Sequence, residues 1–443
     1  MSFDATCNLA SRRAFLRTAA VAPMIVPAHV LGAGRGIAPS DKIVMGAIGT
    51  GSMGGGHVRG FLQIPEVRLA AICDVRQETR ERNKASVDRH YGDSACVTYN
   101  DYRELLARPD IDAVMIATPE NWHPLIGIEA ARRGKHMYYE KPLSVTLAEG
   151  WAVRQAVKRY GVTFQFGTQQ RSSHTFRLAA ELTRNGYIGD LQTIMIGSAG
   201  GGGYTKEKPE EIKAPPPGFD YDMWLGPAPF RPYSDLRVSR HWMFIRDYGI
   251  GCLDGAWGIH DVDAAQWFND SDDTAPITVE GRARYFEDIR DVPYSWTVEH
   301  KYANGVTVIH MDLQTAKKRS PLFTPGGMAS VITGTKGSIW VSRDGIRTNP
   351  ASLAQTVIRP HEKRVIFSND HRRNFLDAIR TRRKPISPID AAVQSETICQ
   401  QADIAMRLQR KLTWDPAAEQ FKNDEQANRM LSRAIRGPWQ YST

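Results

Sequence analysis

Short, almost wholly apolar runs alternate with amphipathic stretches through the first third of the chain. IVMGAI at 43–48 is hydrophobic without a break, as a strand covered on both faces requires. VRLAAIC at 67–73, DAVMIATP at 112–119, HMYYEKP at 136–142 and VTFQFG at 162–167 repeat that pattern. Between them, HPLIGIEAARRGK at 123–135 and LAEGWAVRQAVKRYG at 147–161 carry the helical period, and YRELLARPD at 102–110 reads as a helix end. This alternation predicts an α/β unit over 41–166, a doubly wound parallel sheet whose ligands lie beyond the carboxyl ends of its strands.

The period changes after Phe166. SHTFRLAAELTRNGYIG at 173–189 is an amphipathic helix closed by Asn185-Gly186, and LQTIMIGSAG at 191–200 is a strand. A loop rich in Gly and Pro runs from Gly200 to Pro232, and CLDGAWGIHDVDAAQWF at 252–268 reads as one helix. Longer strands follow at 277–286, 294–302 and 306–313, the last two joined by the hairpin signal Asn304-Gly305; 330–348 extends the sheet. This predicts a second, α+β domain over 167–368 with an open, mainly antiparallel sheet. Helical patterns at 371–382 and 391–411 place a C-terminal helical segment over 369–443 that completes the fold.

With 42% hydrophobic and 24% charged residues among 443, the chain has the composition of a globular protein of two to three domains. The net charge of +9 is scattered, and its densest run, RTRRK at 380–384, reads as a solvated helix end, so nucleic acid is not an expected partner. Residues 1–35 are expected to be a leader rather than fold. Arg12 and Arg13 precede a short apolar stretch broken by Pro23 and Pro27, the pattern of a twin-arginine export signal, too short to span a bilayer securely. The expected partner there is the twin-arginine export machinery, and the expected location is periplasmic or otherwise exported. Five cysteines (Cys7, Cys73, Cys96, Cys252, Cys399) show neither a disulfide framework nor a zinc spacing, and no metal is expected.

The chemistry is densest at the first strand. Gly49, Gly51 and Gly54 open a helix directly after it, with Ser52 and Met53 inside the turn, and Asp74 ends the second strand twenty residues beyond Gly54. Gly49 permits the turn, Gly51 lets backbone approach a pyrophosphate, Gly54 lets helix and strand pack, and Asp74 accepts from ribose hydroxyls: a dinucleotide site. Thr118, Pro119, Glu140 and Lys141 fall at two further strand ends, and Lys141 there would project toward the nicotinamide, placed to relay a hydroxyl proton during hydride transfer. His260, with Asp263 one turn on, is the candidate proton-handling partner; Trp257 and Trp267 on its face read as packing. Polar and aromatic loops supply candidate sugar contacts at Trp122, His123, Gln170, Arg171, Asp247, Tyr248 and Asp263, and segments 220–224 and 240–242 add more aromatics.

AIGTGSMG with Asp74, IATPENWH, GKHMYYEKPLS, and WLGPAP followed by WGIHDVD together resemble the Gfo/Idh/MocA oxidoreductases. NFLDAIRTRRKPISP and IAMRLQRKLTWDP extend the resemblance and point to an exported branch. The resemblance implies a Rossmann domain plus an α/β domain whose open sheet makes a subunit interface, hence a homo-oligomer. It also implies tightly held NAD, with NADP possible, a sugar or polyol substrate, and Lys141 with His260 as the proton-handling pair. One position departs: the family often carries Asp four residues before the matching histidine, and here that residue is Ala256, with Asp254 the nearest substitute. Asp74 favours NAD, and Arg76 and Arg80 lie close enough to accommodate a 2′-phosphate. The leading expectation is NAD(P)-dependent hydride transfer on a sugar, polyol or glycoside. The alternative is a glycoside hydrolase using transient oxidation, elimination and re-reduction, and the third reading is a degenerate sugar-binding protein.

Overall fold

The computed structural model describes residues 37–200, 204–323 and 328–441. The expected export leader, with its paired arginines and Cys7, lies outside the described residues. Ile43–Thr443 is one compact unit.

Six strands build the first sheet: β1 (Ile43–Ile48), β2 (Val67–Cys73), β3 (Val97–Tyr99), β4 (Ala113–Ile116), β5 (His136–Tyr139) and β6 (Phe164–Phe166). All pairs are parallel, in the order β3-β2-β1-β4-β5-β6. The two-residue alternation of strand side chains divides the buried residues between layers. Met45, Ala47, Leu69, Ile72, Ala113 and Met115 face the helices Ser52–Leu62 and His371–Thr381. Ile48, Ala71, Val114, Ile116 and Met137 face the helices His123–Arg132, Leu147–Tyr160 and Ile389–Leu408. The C-terminal helices therefore cover both faces of the nucleotide sheet. Its strand order reverses between β1 and β4, which opens a crevice at their carboxyl ends.

The second sheet contains β7 (Leu191–Ser198), β8 (Thr278–Tyr285), β9 (Pro293–Lys301), β10 (Thr307–Asp312), β11 (Ala329–Gly334), β12 (Ser338–Ser342), β13 (Gly345–Asn349), β14 (Leu412–Asp415) and β15 (Gln420–Phe421). Its order is β13-β12-β11-β7-β10-β9-β8-β14-β15, antiparallel except where β10 lies parallel to β7. The hairpin expected at Asn304-Gly305 joins β9 to β10, with Gly305 at φ +88.

Two segments differ from the hydrophobic pattern. The helix expected over 252–268 begins only at Gly258, after a separate 3-10 turn at Gly251–Leu253. Gly251 has φ +69, which no right-handed helix contains, and a β-carbon on Gly258 would stand 2.1 Å from the Leu253 carbonyl oxygen. The expected loop over 200–232 holds the short helix Tyr221–Leu225, and Phe219, Tyr221, Trp224, Tyr233, Ile245 and Tyr248 form a local aromatic core there.

A buried ion pair ties the end of the nucleotide sheet to the helix Gly258–Phe268. Arg171, 1% exposed, donates to both carboxylate oxygens of Asp263 at 2.7 and 2.9 Å and to both of Asp272 at 2.8 and 2.7 Å. Ser395 donates a further hydrogen bond to Asp263. Removing one partner of such a pair strands the other charge in the interior. Arg171→Leu is expected to lower stability by about 3–5 kcal/mol, read as a reduced urea midpoint.

Candidate active site

The turn after β1 is built by glycines that do different work. Gly49 has φ +75 and packs on the Ala117 backbone, and a β-carbon on Gly54 would stand 1.9 Å from the Gly49 carbonyl oxygen. A β-carbon on Gly51, by contrast, would meet nothing within 4 Å. The backbone there faces open space at the N-terminus of the helix Ser52–Leu62, whose N-cap Gly51 provides no side-chain hydrogen bond. Asp74 closes the arrangement. Its Oδ2 accepts from the Thr50 amide at 2.8 Å and its Oδ1 from the Arg76 amide at 2.9 Å, orienting the carboxylate at the end of β2. Room beside Gly51, uncapped amides and an oriented carboxylate fit a dinucleotide.

The cavity that begins there has a volume of about 520 Å³. Gly49, Gly51, Ser52, Met53, Asp74, Thr118, Pro119, Glu140 and Lys141 all line it, while Gly54 serves packing beneath. The opposite wall comes from the second domain: Met223, Trp224, Arg240, Trp242 and Met243, then Gly255 and Ala256 beside Lys141. Segments 220–224 and 240–242, read from sequence as sugar contacts, thus contribute walls to the cavity that starts at the glycine turn. Their run of aromatics was the available signal.

At the far end of the cavity the sheet supplies Glu140 and Lys141. Glu140 is buried and accepts from His57 Nε2 at 2.8 Å and Gln169 Nε2 at 2.9 Å. Arg372 donates to His57 Nδ1 at 3.2 Å; a guanidinium cannot accept, so His57 carries its proton on Nε2. Burial pushes the Glu140 carboxyl up, but the His57 hydrogen bond and the neighbouring Lys141 charge prevail and bring it to about 2. Glu140 is therefore a fixed carboxylate. Lys141 donates from Nζ to the Gly255 carbonyl oxygen at 2.5 Å, reaching across to the turn that precedes His260. The buried His260 has its Nδ1 without a partner, and burial, then the charges of Lys141 and Arg343, push its pKa well below the ordinary value. It is a neutral imidazole at neutral pH.

Sequence reasoning did not find the carboxyl cluster behind this pair. Glu120, Asp254 and Glu396 are each at most 2% exposed. Glu120 wedges against the turn: β-carbons on Gly249 and Gly255 would stand 2.4 and 1.8 Å from its carboxylate oxygens. Glu396 accepts from the Leu143 amide at 3.1 Å and from Gln400 at 2.9 Å. Burial raises all three carboxyls above their usual range, and at Asp254 the neighbouring Glu396 carboxyl raises it further. Asp254 thus belongs to this buried cluster, and Ala256, not Asp254, lines the cavity.

The other candidate sugar contacts have separate fates. Trp122 lines the cavity and donates from Nε1 to the Trp224 carbonyl at 3.1 Å. His123, its pKa pushed down to about 4 by burial, bonds through Nδ1 to the Pro142 carbonyl at 2.6 Å and fixes the strand end behind Lys141. Gln170 accepts from Arg343 at 3.4 Å. Arg171 and Asp263 are spent on each other, Tyr248 packs in the aromatic core, and Asp247 pairs with Arg231 at 3.5 Å; none of these four lines the cavity.

Two family models cover this architecture: the NAD-binding Rossmann fold of the GFO_IDH_MocA oxidoreductase family matches 43–168, and its C-terminal alpha/beta domain matches 195–441. The chain belongs to the Gfo/Idh/MocA oxidoreductase family. Among curated relatives of this Gfo/Idh/MocA chain, the uncharacterized oxidoreductase YrbE of Bacillus subtilis is 35% identical over 184 residues, 41% of this chain and 48% of that protein. A glycosyl hydrolase family 109 protein of Shewanella sp. is 33% identical over 159 residues, 35% of each chain. The chain thus matches half or less of the length of these relatives. The solved scyllo-inositol dehydrogenase from Lactobacillus casei, with bound NAD(H) and scyllo-inositol, shares the fold at a TM-score of 0.58 and 17% identity, over 84% of this chain and 99% of that one. Among the described residues, no three His, Cys, Asp or Glu side chains are grouped to hold a metal ion, and no helix is long and apolar enough to cross a membrane.

The carboxyl cluster gives a pH test. Carboxyls whose pKa is raised by folding bind protons preferentially in the folded state, so their contribution is full below the unfolded value near 4 and is lost as pH rises through the folded values. The stability difference between wild type and Glu120→Gln or Asp254→Asn, measured by urea unfolding at a series of pH values, is expected to slope with pH above about 5 in the sense that alkali costs the wild type more. A flat difference contradicts shared, protonated carboxyls.

Proposed function

We propose that this protein is an NAD-dependent oxidoreductase acting on a hydroxyl of a sugar, polyol or glycoside, with its nucleotide retained through the cycle. The observation that carries the proposal is the continuity of one cavity from Asp74 to Lys141, with neutral His260 within electrostatic reach of that lysine. The nicotinamide, when bound, supplies a hydride acceptor for the carbinol carbon. Lys141 Nζ, held by the Gly255 carbonyl, orients the reacting hydroxyl and handles its proton. His260, uncharged, takes a proton or holds the neighbouring hydroxyl. Glu140 stays ionised beside them and balances the lysine's charge.

Asp74 supports NAD over NADP, because a carboxylate repels a 2′-phosphate, while Arg76 on the cavity wall stacks on Phe219 at 3.8 Å and Arg80 donates to the Asp74 carbonyl at 3.0 Å. Retention is supported by the wall formed by Trp224, Arg240 and Trp242. The paired Arg12 and Arg13 support export by the twin-arginine route after loading, and the open second sheet, with edges at β13 and β15, supports pairing of subunits.

The second reading, redox-assisted glycoside hydrolysis, is favoured by one observation besides the family 109 relatives. Glu120 lines the cavity and keeps its proton, which is what departure of an aglycone needs.

Mass spectrometry of nucleotide released from the purified protein is expected to find NAD. Lys141→Met is expected to keep that nucleotide and to lose 10²-fold or more, in order of magnitude, of its reduction rate across a sugar panel followed by nicotinamide absorbance. Absence of any nicotinamide nucleotide together with no binding of added NAD would overturn the proposal. Release of aglycone without net reduced nicotinamide selects the hydrolase.

A further inference from the structure

Arg343 is a cation without a carboxylate to pair with. It sits in the turn between β12 and β13, where the Asp344 amide donates to the Ser342 hydroxyl at 3.0 Å and fixes the backbone. Its guanidinium lies over the Trp257 ring, 4.4 Å from the centroid, and its hydrogen bond to a side chain is a long one, 3.4 Å to Gln170 Oε1. Among the described residues it makes no ion pair. The Trp257 ring that carries it is itself 5.5 Å from the His260 ring, and the guanidinium is within electrostatic reach of His260 and Glu140.

The neighbouring carboxylates are already committed. Glu140 accepts from His57 and Gln169, and Asp261 accepts from Ser198 at 2.8 Å. Arg343 is exposed, and its five donors exceed the one long hydrogen bond it makes to a side chain, so donors are left for a ligand. A planar guanidinium fixed on an aromatic face is matched by a planar carboxylate, which takes two parallel hydrogen bonds, whereas a neutral hydroxyl takes one weaker bond.

Resting on the oxidoreductase reading above, we propose that Arg343 is a specificity-determining residue that binds a carboxylate on the substrate, so that the substrate class is acidic sugars such as uronic acids. The carboxylate would anchor at Arg343 and Gln170 while a ring hydroxyl lies at Lys141 and His260. Neutral sugars would occupy the same place without the anchor.

The test uses the purified holoprotein and uronates of gluco, galacto and manno configuration, each beside its neutral aldose, with binding read by calorimetry and turnover by reduction of bound nicotinamide. At least one uronate is expected to bind roughly tenfold or more tightly than its aldose. Arg343→Gln is expected to erase that preference, the uronate affinity falling to that of its aldose, and Arg343→Lys to retain part of it. The proposal is overturned if no uronate is preferred or if Arg343→Gln keeps the preference. Reduction by neutral aldoses without a uronate preference would remove the anion site and leave the oxidoreductase reading intact. Arg343-dependent uronate binding by a protein without nicotinamide would do the reverse.

Discussion

The site depends on a close approach that side chains would forbid. Glu120 follows β4 of the nucleotide sheet, and its carboxyl occupies the space where β-carbons on Gly249 and Gly255 would stand. Because that wedge fits, the turn from Gly249 to Gly258 lies against the carboxyl ends of β4 and β5, and the Gly255 carbonyl meets Lys141 Nζ. Because the turn then gives way to a helix only at Gly258, His260 falls in that helix's first turn, on the side of the same lysine. The glycine turn and strand ends of one half of the chain and the buried, neutral His260 of the other are thereby brought to one place.

Burial around this seam does not act alike on every group. Glu140 has enough donors and cationic neighbours to remain a carboxylate in the interior, while desolvation prevails at Glu120, Asp254 and Glu396 and raises them above the usual carboxyl range. His260 is neutral for the same reason, desolvation reinforced by nearby cations. The centre therefore combines one fixed negative charge, one lysine and several neutral acids and bases, a composition suited to moving protons without stranding charge.

The hydrophobic pattern carried the fold well because its signals are local. Continuous apolar runs marked the parallel strands, Asn304-Gly305 marked its hairpin, and Gly49, Gly51, Gly54 and Asp74 announced a dinucleotide turn by spacing alone. What stayed hidden depends on partners distant in sequence. Arg171 and Asp263 look like sugar contacts until their mutual pairing, 92 residues apart, is known. Asp254 looked like a displaced active-site carboxylate, but its cluster includes Glu396, far along the chain and inside an otherwise ordinary helix. The Gly251–Gly258 break was overlooked because apolar periodicity ran through it, although the glycines themselves were the signal.

The central claim is that one cavity runs from Asp74 to Lys141 and holds a dinucleotide along its length. A crystal structure of the NAD-bound protein tests it most directly. The account predicts adenosine ribose hydroxyls on the Asp74 carboxylate, pyrophosphate beside Gly51, and the nicotinamide ring facing Lys141 and Ala256. A nucleotide whose nicotinamide lies away from Lys141, or whose ribose does not reach Asp74, would contradict it.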